Sequence, residues 1–368
     1  MPDQQFVPSK KITMKDIASH LQIDRTTVSK ALADNPGLSA EMIEKVKKAA
    51  EELGYRKDPF ASGLTTGKNA VLGIVISDEI NRGIYASFVK SFQHVAKKNN
   101  FAVIICHVNH NDKEVLEAID LLKQQRVSGA TFVARSYHPL DEKYLIQLVE
   151  SGIAINVTGT GAIHESIDRV KFDHHKAGYE LTNYLIRLGH TRIGFLADLY
   201  IVDKVKQARL ANQLPSSTHE RAAGYMQAML EAGLPPLFEP VRSSSAATST
   251  IVQKSYHTVK AMNGRLGDVS ALIGQNDDFA LGALFALKEL GIAIPEQMSL
   301  AGFDDSSAIL GVPELTTMRM PLQQSGEAAG QMLTERIQSL KKPTACVTLE
   351  YELIVRASTG PAIKNGTA

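Results

Sequence analysis

Between Arg25 and Lys30 the chain offers a guanidinium, an ammonium and the hydroxyls of Thr26, Thr27 and Ser29. Such groups suit a nucleic-acid duplex: Arg and Lys for guanine edges, hydroxyls for bases or phosphates, a Thr methyl for thymine. A second set lies far downstream. Arg221, Asn276 and Asp304, with aromatic rings at Tyr85 and Phe279, supply donors, acceptors and an apolar face, the chemistry that holds a hydroxyl-rich small molecule. Catalytic chemistry has no comparable footing. No Cys/His metal spacing, GxSxG elbow or P-loop occurs, and GTGAIH at 159–164 lacks the third glycine of a dinucleotide fingerprint. No catalytic residue, metal or cofactor is therefore expected, and His174 and His175, following Asp173, read as the exposed start of a helix.

The elements that must carry the first set are short helices. Apolar residues at Met14, Ile17, Ala18 and Leu21, then Ile23, then Val28, Ala31 and Leu32 are spaced by threes and fours with a break at 22–24, which predicts a helix-turn-helix. Thr13 suits the cap of the first helix, and Asp24 that of the second, accepting from the amides of Thr26 or Thr27. With Val28, Ala31 and Leu32 turned inward, Arg25, Thr26, Ser29 and Lys30 face out. On these residues alone that face is equally a solvated helix surface. A third helix starts at Ser39, carries an apolar stripe of Ile43, Val46, Ala49, Ala50 and Leu53, and ends at Gly54.

The second set needs a larger scaffold. From residue 70 onward, apolar strands at 71–77, 101–108, 129–134, 152–158, 192–198, 271–276 and 299–303 alternate with helices such as 84–98, 112–126, 174–189, 219–232 and 278–290. This predicts parallel sheets covered on both faces, and the length suits two such units. Ligands of such sheets sit beyond the carboxyl ends of the strands. Asn81, Arg82 and Tyr85 stand there after the first strand, Arg135 after the third and Gly159 after the fourth. Asn276 and Phe279 follow the strand at 271–276, Asp304 follows the last, and Arg221 opens a helix after the long 199–217 connection. Arg82 and Arg135 either add positive charge to the pocket, which suits an acidic or phosphorylated ligand, or point to solvent. Asp277 reads as the N-cap of the helix that follows it.

Composition sets the outer bounds. At 368 residues and 44% hydrophobic content, the chain accommodates one small and one large domain. Its net charge is +1, and residues 1–60 hold ten Lys/Arg against nine Asp/Glu, so any affinity for nucleic acid rests on where charges sit rather than on their sum. Cys106 and Cys346 both lie in apolar runs and are expected as buried thiols. No apolar run of about 20 residues occurs, and the polar N-terminus has no apolar leader, so a cytoplasmic protein without a membrane segment is expected. The segment 58–67, DPFASGLTTG, opens with an N-cap and Pro. It then carries Gly63, Thr65 and Thr66, so it folds as a helix only when a surface stabilises it.

The run TMKDIA, TTVSKAL, NPGLS and EKVKKAAEELGY resembles the head of the lac repressor and galactose repressor family, LacI/GalR. The likeness continues through GHTRIGF at 189–195, ERAAGY at 220–225, QNDDFALGALFAL at 275–287, GIAIPEQMSLAGFDD at 291–305 and PELTTMRMP at 313–321. The resemblance implies a multi-domain chain with a small all-α helix-turn-helix head and an α/β effector domain like periplasmic binding proteins, built of two doubly wound parallel-sheet subdomains. The expected bounds are 11–57 for the head, 58–69 for a hinge helix and 70–360 for the effector and dimerisation domain, with a disordered tail at 361–368. Within the effector domain, one subdomain is expected at about 70–173 and 321–341, the other at about 174–320 and 345–360.

By the same resemblance, Arg25, Thr26 and Lys30 contact bases, while Thr13, Thr27, Ser29 and Asn35 lie on the phosphate side. Leu64 is the wedge that enters the minor groove, although Ser62 and Gly63 stand where the family often has Arg and Ser. Arg221, Asn276 and Asp304 match its effector ligands, and Gly159 stands where many sugar-responsive members carry an acid. The partners implied are a palindromic double-stranded DNA operator, a second copy of the chain and a sugar-like effector, neutral or acidic. The function implied is transcription regulation, as a repressor. The alternative is a sugar-binding protein with no DNA-directed role. The tail PAIKNGTA has no heptads, so no terminal coiled coil is expected.

Overall fold

A computed structural model describes residues 12–32, 34–55, 69–77, 85–108, 112–134, 142–159, 164–198, 217–241, 250–262, 266 and 269–363. The chain divides into two compact units, Met1–Asn69 and Ala70–Ala368.

Among its described residues the first unit carries three helices, α1 (Met14–Leu21), α2 (Arg25–Ala31) and α3 (Ala40–Glu52). Each start has a polar stop. Asp24 accepts from Thr26 N at 2.6 Å, and Ser39 Oγ accepts from Met42 N at 3.3 Å. Gln22 ends α1 in the left-handed region at φ 53°, which permits the tight turn into α2. Ile17, Val28, Ala31, Val46 and Ala49 form the buried centre, ringed by Met14, Leu21, Ile23, Leu32 and Ile43. The spacing that predicts the helices is thus the spacing that fills this core.

Among its described residues the second unit holds two six-stranded sheets. The first runs in the order β11 (Cys346–Leu349), β5 (Asp168–Phe172), β4 (Ala154–Gly159), β3 (Gly129–Ala134), β1 (Val71–Ser77), β2 (Ala102–His107). The second runs β12 (Glu352–Ile354), β10 (Thr316–Arg319), β9 (Ser299–Asp304), β8 (Ala271–Gly274), β6 (Ile193–Asp198), β7 (Leu237–Val241). Ladders are parallel except between β10 and β12. The described helices are α4 (Ala86–Lys98), α5 (Asp112–Gln124), α6 (Glu142–Glu150), α7 (His174–Arg187), α8 (Ser217–Glu231), α9 (Ile251–Ala261), α10 (Asp277–Glu289) and α11 (Leu322–Gln338). Each sheet buries apolar side chains such as Leu72, Ile74 and Phe132 in the first and Phe195, Leu272 and Phe303 in the second.

Helices α7 and α8 cross at glycines. A Cβ on Gly178 would meet Arg221 O at 2.0 Å, and one on Gly224 would meet His175 O at 2.0 Å. Only glycine allows the two backbones this close, and that approach sets the position of Arg221.

Four expectations differ from the structure. Strand β11 pairs with β5, so 346–349 belongs to the first sheet and not with 350–360 in the second subdomain. Cys346 lies on that edge strand and is exposed, while Cys106 is buried. Residues 361–363 are part of the fold, since Ala362 N donates to Leu188 O at 2.9 Å; 364–368 lie outside the described residues. His174 is buried, at 2% exposure, rather than on a surface helix start. The hinge segment and the long connection before α8 fall almost wholly at 56–68 and 199–216, outside the described residues. Among the described residues no helix is long and apolar enough to cross a membrane.

Candidate functional site

In the first unit the candidate surface is the outer face of α2. Arg25, Thr26, Ser29 and Lys30 are exposed, Thr27 is half-buried, and Val28 and Ala31 lie underneath. The cap limits what two of the threonines can offer. Thr26 donates both its amide and its hydroxyl to Asp24, whose carboxyl is held below its ordinary range by those bonds, so Thr26 presents lone pairs and a methyl. Thr13 donates its hydroxyl to Asp16 at 2.6 Å and its amide at 2.7 Å, which leaves no free hydroxyl proton for a phosphate while this box stands. Asn35 is exposed and its Oδ1 accepts from Gly37 N at 2.9 Å. Leu64 lies outside the described residues.

In the second unit the candidate site is a cleft beyond the carboxyl end of β9, with a cavity of about 590 Å³ lined by Ser87, Asp304, Asp305, Arg319, Leu322 and Glu350 among others. Strand β9 ends with Asp304 at φ 99° and Asp305 at φ 56°, two successive non-glycine residues in the left-handed region. That strained end is held by ion pairs. Asp304 Oδ1 accepts from Arg221 Nη2 at 2.6 Å, and Asp305 accepts from Arg319 and Arg356, both at 2.7 Å.

Arg221, from the first turns of α8, is buried and meets the cleft through Asp304, which lines the cavity. Its Nη1 donates to Gln275 O at 2.8 Å and its Nη2 also donates to Tyr351 Oη at 2.9 Å. The guanidinium stacks over Phe303 and Tyr351 at 4.8 and 5.6 Å from the ring centroids. Burial works against its charge, but Asp304 and Tyr351 outweigh burial and hold it firmly protonated. Its Nε is buried and unpartnered among the described residues. Burial pushes the Tyr351 phenol up, and burial with Arg221 pushes His174 well below the ordinary imidazole range. Beside them Glu220 is raised to about 7, by burial first and by Asp173 next.

The structure brings Arg221 and Asp304 together, places Asn276 at the start of α10, and corrects two neighbours, Asp277 and Phe279. Asn276 is the N-cap of α10, its Oδ1 accepting from Phe279 N at 3.2 Å. Asp277, expected as that cap, is instead the first helical residue. It is fully buried, accepts from Thr317 Oγ1 at 2.6 Å and Ser306 N at 2.8 Å, and is raised to about 7 by burial and by Asp304. Phe279, expected as an aromatic wall, is buried in the core of the second sheet with Val259, Leu284 and Leu300. Tyr85 is half-buried against the core at the start of α4. Asn81, Arg82 and Arg135 lie outside the described residues. Sequence reasoning missed Gln275, which offers a backbone carbonyl, and Tyr351, which sits between the sheets far along the chain.

Residues 13–58 match the model of bacterial regulatory proteins of the lacI family, and residues 182–359 match that of the periplasmic binding protein-like domain. Head and body together define a DNA-binding transcription regulator with an effector-binding domain. The chain is 26% identical to the transcriptional regulator DegA of Bacillus subtilis (strain 168), covering 95% of this chain and 99% of that protein. Its fold is that of the lac repressor dimer bound to operator and the anti-inducer ONPF, with a TM-score of 0.73 at 22% identity over 95% of this chain and 100% of that one. The fold is shared too with the regulator CelR in complex with cellobiose, with a TM-score of 0.64 at 23% identity over 95% and 100% of the two chains. The chain thus joins a lacI-family helix-turn-helix domain to a periplasmic-binding-protein-like domain, and its relatives are regulators of the LacI/GalR family.

Proposed function

We propose that this regulator binds a palindromic operator as a homodimer and represses transcription under the control of a sugar-like effector held in the cleft. The carrying observation is the outer face of α2, where Arg25, Thr26, Ser29 and Lys30 are exposed above a helix otherwise committed to the core. Arg25, Thr26 and Lys30 read bases; Thr27, Ser29 and Asn35 set register on phosphates. Thr13 serves the cap of α1, and Leu64 acts as the minor-groove wedge.

A second copy is supported by apolar exposure on one part of the body. Phe285 on α10 is 45% exposed, and Ile309, Leu310 and Val312, on and after the adjoining 3-10 turn, are 63, 66 and 72% exposed. Apolar side chains gathered this way mark an interface.

The effector reading rests on Arg221, Asn276 and Asp304. The charged groups described at the cavity are already paired: Asp304 with Arg221, Asp305 with Arg319 and Arg356, Glu350 with Lys176, Glu352 with Arg319. A lining of neutralised pairs favours an uncharged polyol over a phosphorylated sugar, in line with the cellobiose held by CelR. A phosphorylated effector would have to rely on Arg82 and Arg135. A mobility-shift assay on selected duplexes, with neutral sugars, acidic sugars and sugar phosphates added in turn, tests the whole reading. An inverted-repeat duplex whose complex responds to a neutral sugar supports it; binding of sugar with no preference among duplexes overturns the regulator role.

A further inference from the structure

Three segments carry the chain between the two sheets of the body: 172–174 from β5 to α7, 319–322 from β10 to α11, and 349–352 from β11 to β12. They are laced to one another. Asp173 N donates to Leu349 O at 3.0 Å, Lys176 meets Glu350 at 2.7 Å, and Arg319 reaches Glu352 at 3.1 Å. Met320 N donates to Asp304 O at 3.4 Å. The middle of this lacing is polar and buried. His174 from the first segment and Tyr351 from the third are 2% and 8% exposed, and Tyr351 Oη lies 2.8 Å from His174 Nδ1.

The direction of these bonds follows from chemistry. A guanidinium only donates, so the Tyr351 oxygen accepts from Arg221, and the phenol proton is donated to His174 Nδ1. The imidazole is therefore neutral with its proton on Nε2, which agrees with a burial that disfavours its charged form. The chain of bonds runs Asp304, Arg221, Tyr351, His174: it begins in the cleft and ends inside two crossovers.

We propose that Tyr351 and His174 are positioning residues that clasp the three crossovers around Arg221, so that a ligand group engaging Arg221 Nη2 withdraws the donor from Tyr351 and loosens all three. The proposal rests on the reading of Arg221 as an effector ligand. It differs from simple aromatic packing, to which Phe172, His174 and Tyr351 also contribute with centroids 5.5 to 6.5 Å apart, because the clasp needs the hydroxyl and not the ring.

The test uses the full chain with neither ligand nor DNA, in hydrogen exchange of peptides spanning 172–174, 319–322 and 349–352 and in side-chain nitrogen NMR of the histidines. Tyr351→Phe keeps the ring and removes the hydroxyl. Exchange should rise by about threefold or more in all three segments, including 319–322, to which neither residue belongs. Its His174 Nδ1 signal should lose the mark of an accepted hydrogen bond. The double variant Arg221→Met/Asp304→Asn, which removes the Nη2 donor without stranding a charge, stands in for a ligand that takes Nη2 and should speed exchange in the same segments. His174→Gln, whose amide oxygen can accept the phenol proton, should behave as the parent, and His174→Phe as Tyr351→Phe. Exchange in Tyr351→Phe below about threefold of the parent, or raised at 349–352 alone, overturns the clasp; so does a His174 proton found on Nδ1. Because no duplex or sugar enters, failure here leaves the regulator reading standing, and failure of the mobility-shift assay leaves the clasp standing.

Discussion

Replacing Arg221 by Met removes the buried cation that holds Asp304 while keeping a chain of similar length. The Arg221 and Asp304 side chains are 5% and 7% exposed and meet at 2.6 Å. Removing one member of a buried pair strands the charge of the other, at a cost of about 3–5 kcal/mol. Arg221 also donates to Gln275 O and Tyr351, so Arg221→Met falls toward about 5 kcal/mol. Asp304→Asn strands the Arg221 guanidinium in turn, but its amide oxygen still accepts from Nη2, so the loss lies near the low end, about 3 kcal/mol. Asn also tolerates the left-handed backbone that φ 99° imposes. The double variant leaves no stranded charge. It should lie at least about 2 kcal/mol closer to the parent than the sum of the single losses. The assay is urea denaturation of the ligand-free chain, with the transition of the body fitted separately from that of the head, since two units need not unfold together. Additivity within about 0.5 kcal/mol would refute the reasoning, because independent sites add and a coupled buried pair does not.

Lys30→Ala should weaken operator binding by about 1–3 kcal/mol and relax preference at one base step; an equal loss on every duplex would make Lys30 a phosphate contact. Leu64→Ala should lower operator affinity and reduce bending in a circular-permutation gel, with effector affinity in calorimetry unchanged; equal bending by both proteins removes the wedge. Glu220 holds its proton up to about pH 7 in the folded chain but releases it near 4.5 when unfolded, so stability should fall as pH rises through that window. Glu220→Gln should flatten that slope in thermal melts at stepped pH, leaving the share due to Asp277, which is also raised to about 7. Gly224→Ala places a Cβ 2.0 Å from His175 O and must push α7 from α8, with a loss of about 1–3 kcal/mol or more in denaturation and a weaker hold on Arg221; a melting temperature equal to the parent's would show the crossing to be looser than the geometry says.

The head was legible because a three-helix core this small leaves no choice of face: the periodic residues Ile17, Val28, Ala31, Val46 and Ala49 are the buried ones. In the body, β1, β3, β6 and β9 announced themselves as unbroken apolar runs, as strands covered on both faces do. The strand β5 did not, since Asp168, Arg169 and Lys171 interrupt it, and buried Asp168 is neutralised by Arg336 at 2.7 and 2.9 Å. Nor could pattern say to which sheet β11 returns, because the chain passes between the sheets three times and local residues do not record the destination. Phe279 was misread for a related reason. Helix α10 is apolar on nearly every side, and a helix buried all round has no periodic stripe to tell wall from core. The cap fell one residue off because Asn276 and Asp277 are both good caps. His174 and Tyr351 lie 177 residues apart, so their bond had no local trace.

The ligand-free arrangement of Arg221 bears on how strong a switch this cleft can make. Its Nη groups already donate to Gln275, Asp304 and Tyr351, so a ligand oxygen that takes one of them exchanges an existing bond for a new one. Among the described residues, the Nε hydrogen and the second hydrogen of Nη1 are the donors that can be engaged without breaking an existing bond. The net gain at Arg221 is then one or two hydrogen bonds, about 1–2 kcal/mol, rather than all five. A ligand moves a conformational balance only by its difference in affinity for the two states, and allosteric couplings run about 1–3 kcal/mol. If Arg221 binds the effector as proposed, a coupling toward the low end of that range is the expected outcome. Emptying the cleft restores the closed pair without help, because Asp304 and Tyr351 are already in place to receive the guanidinium.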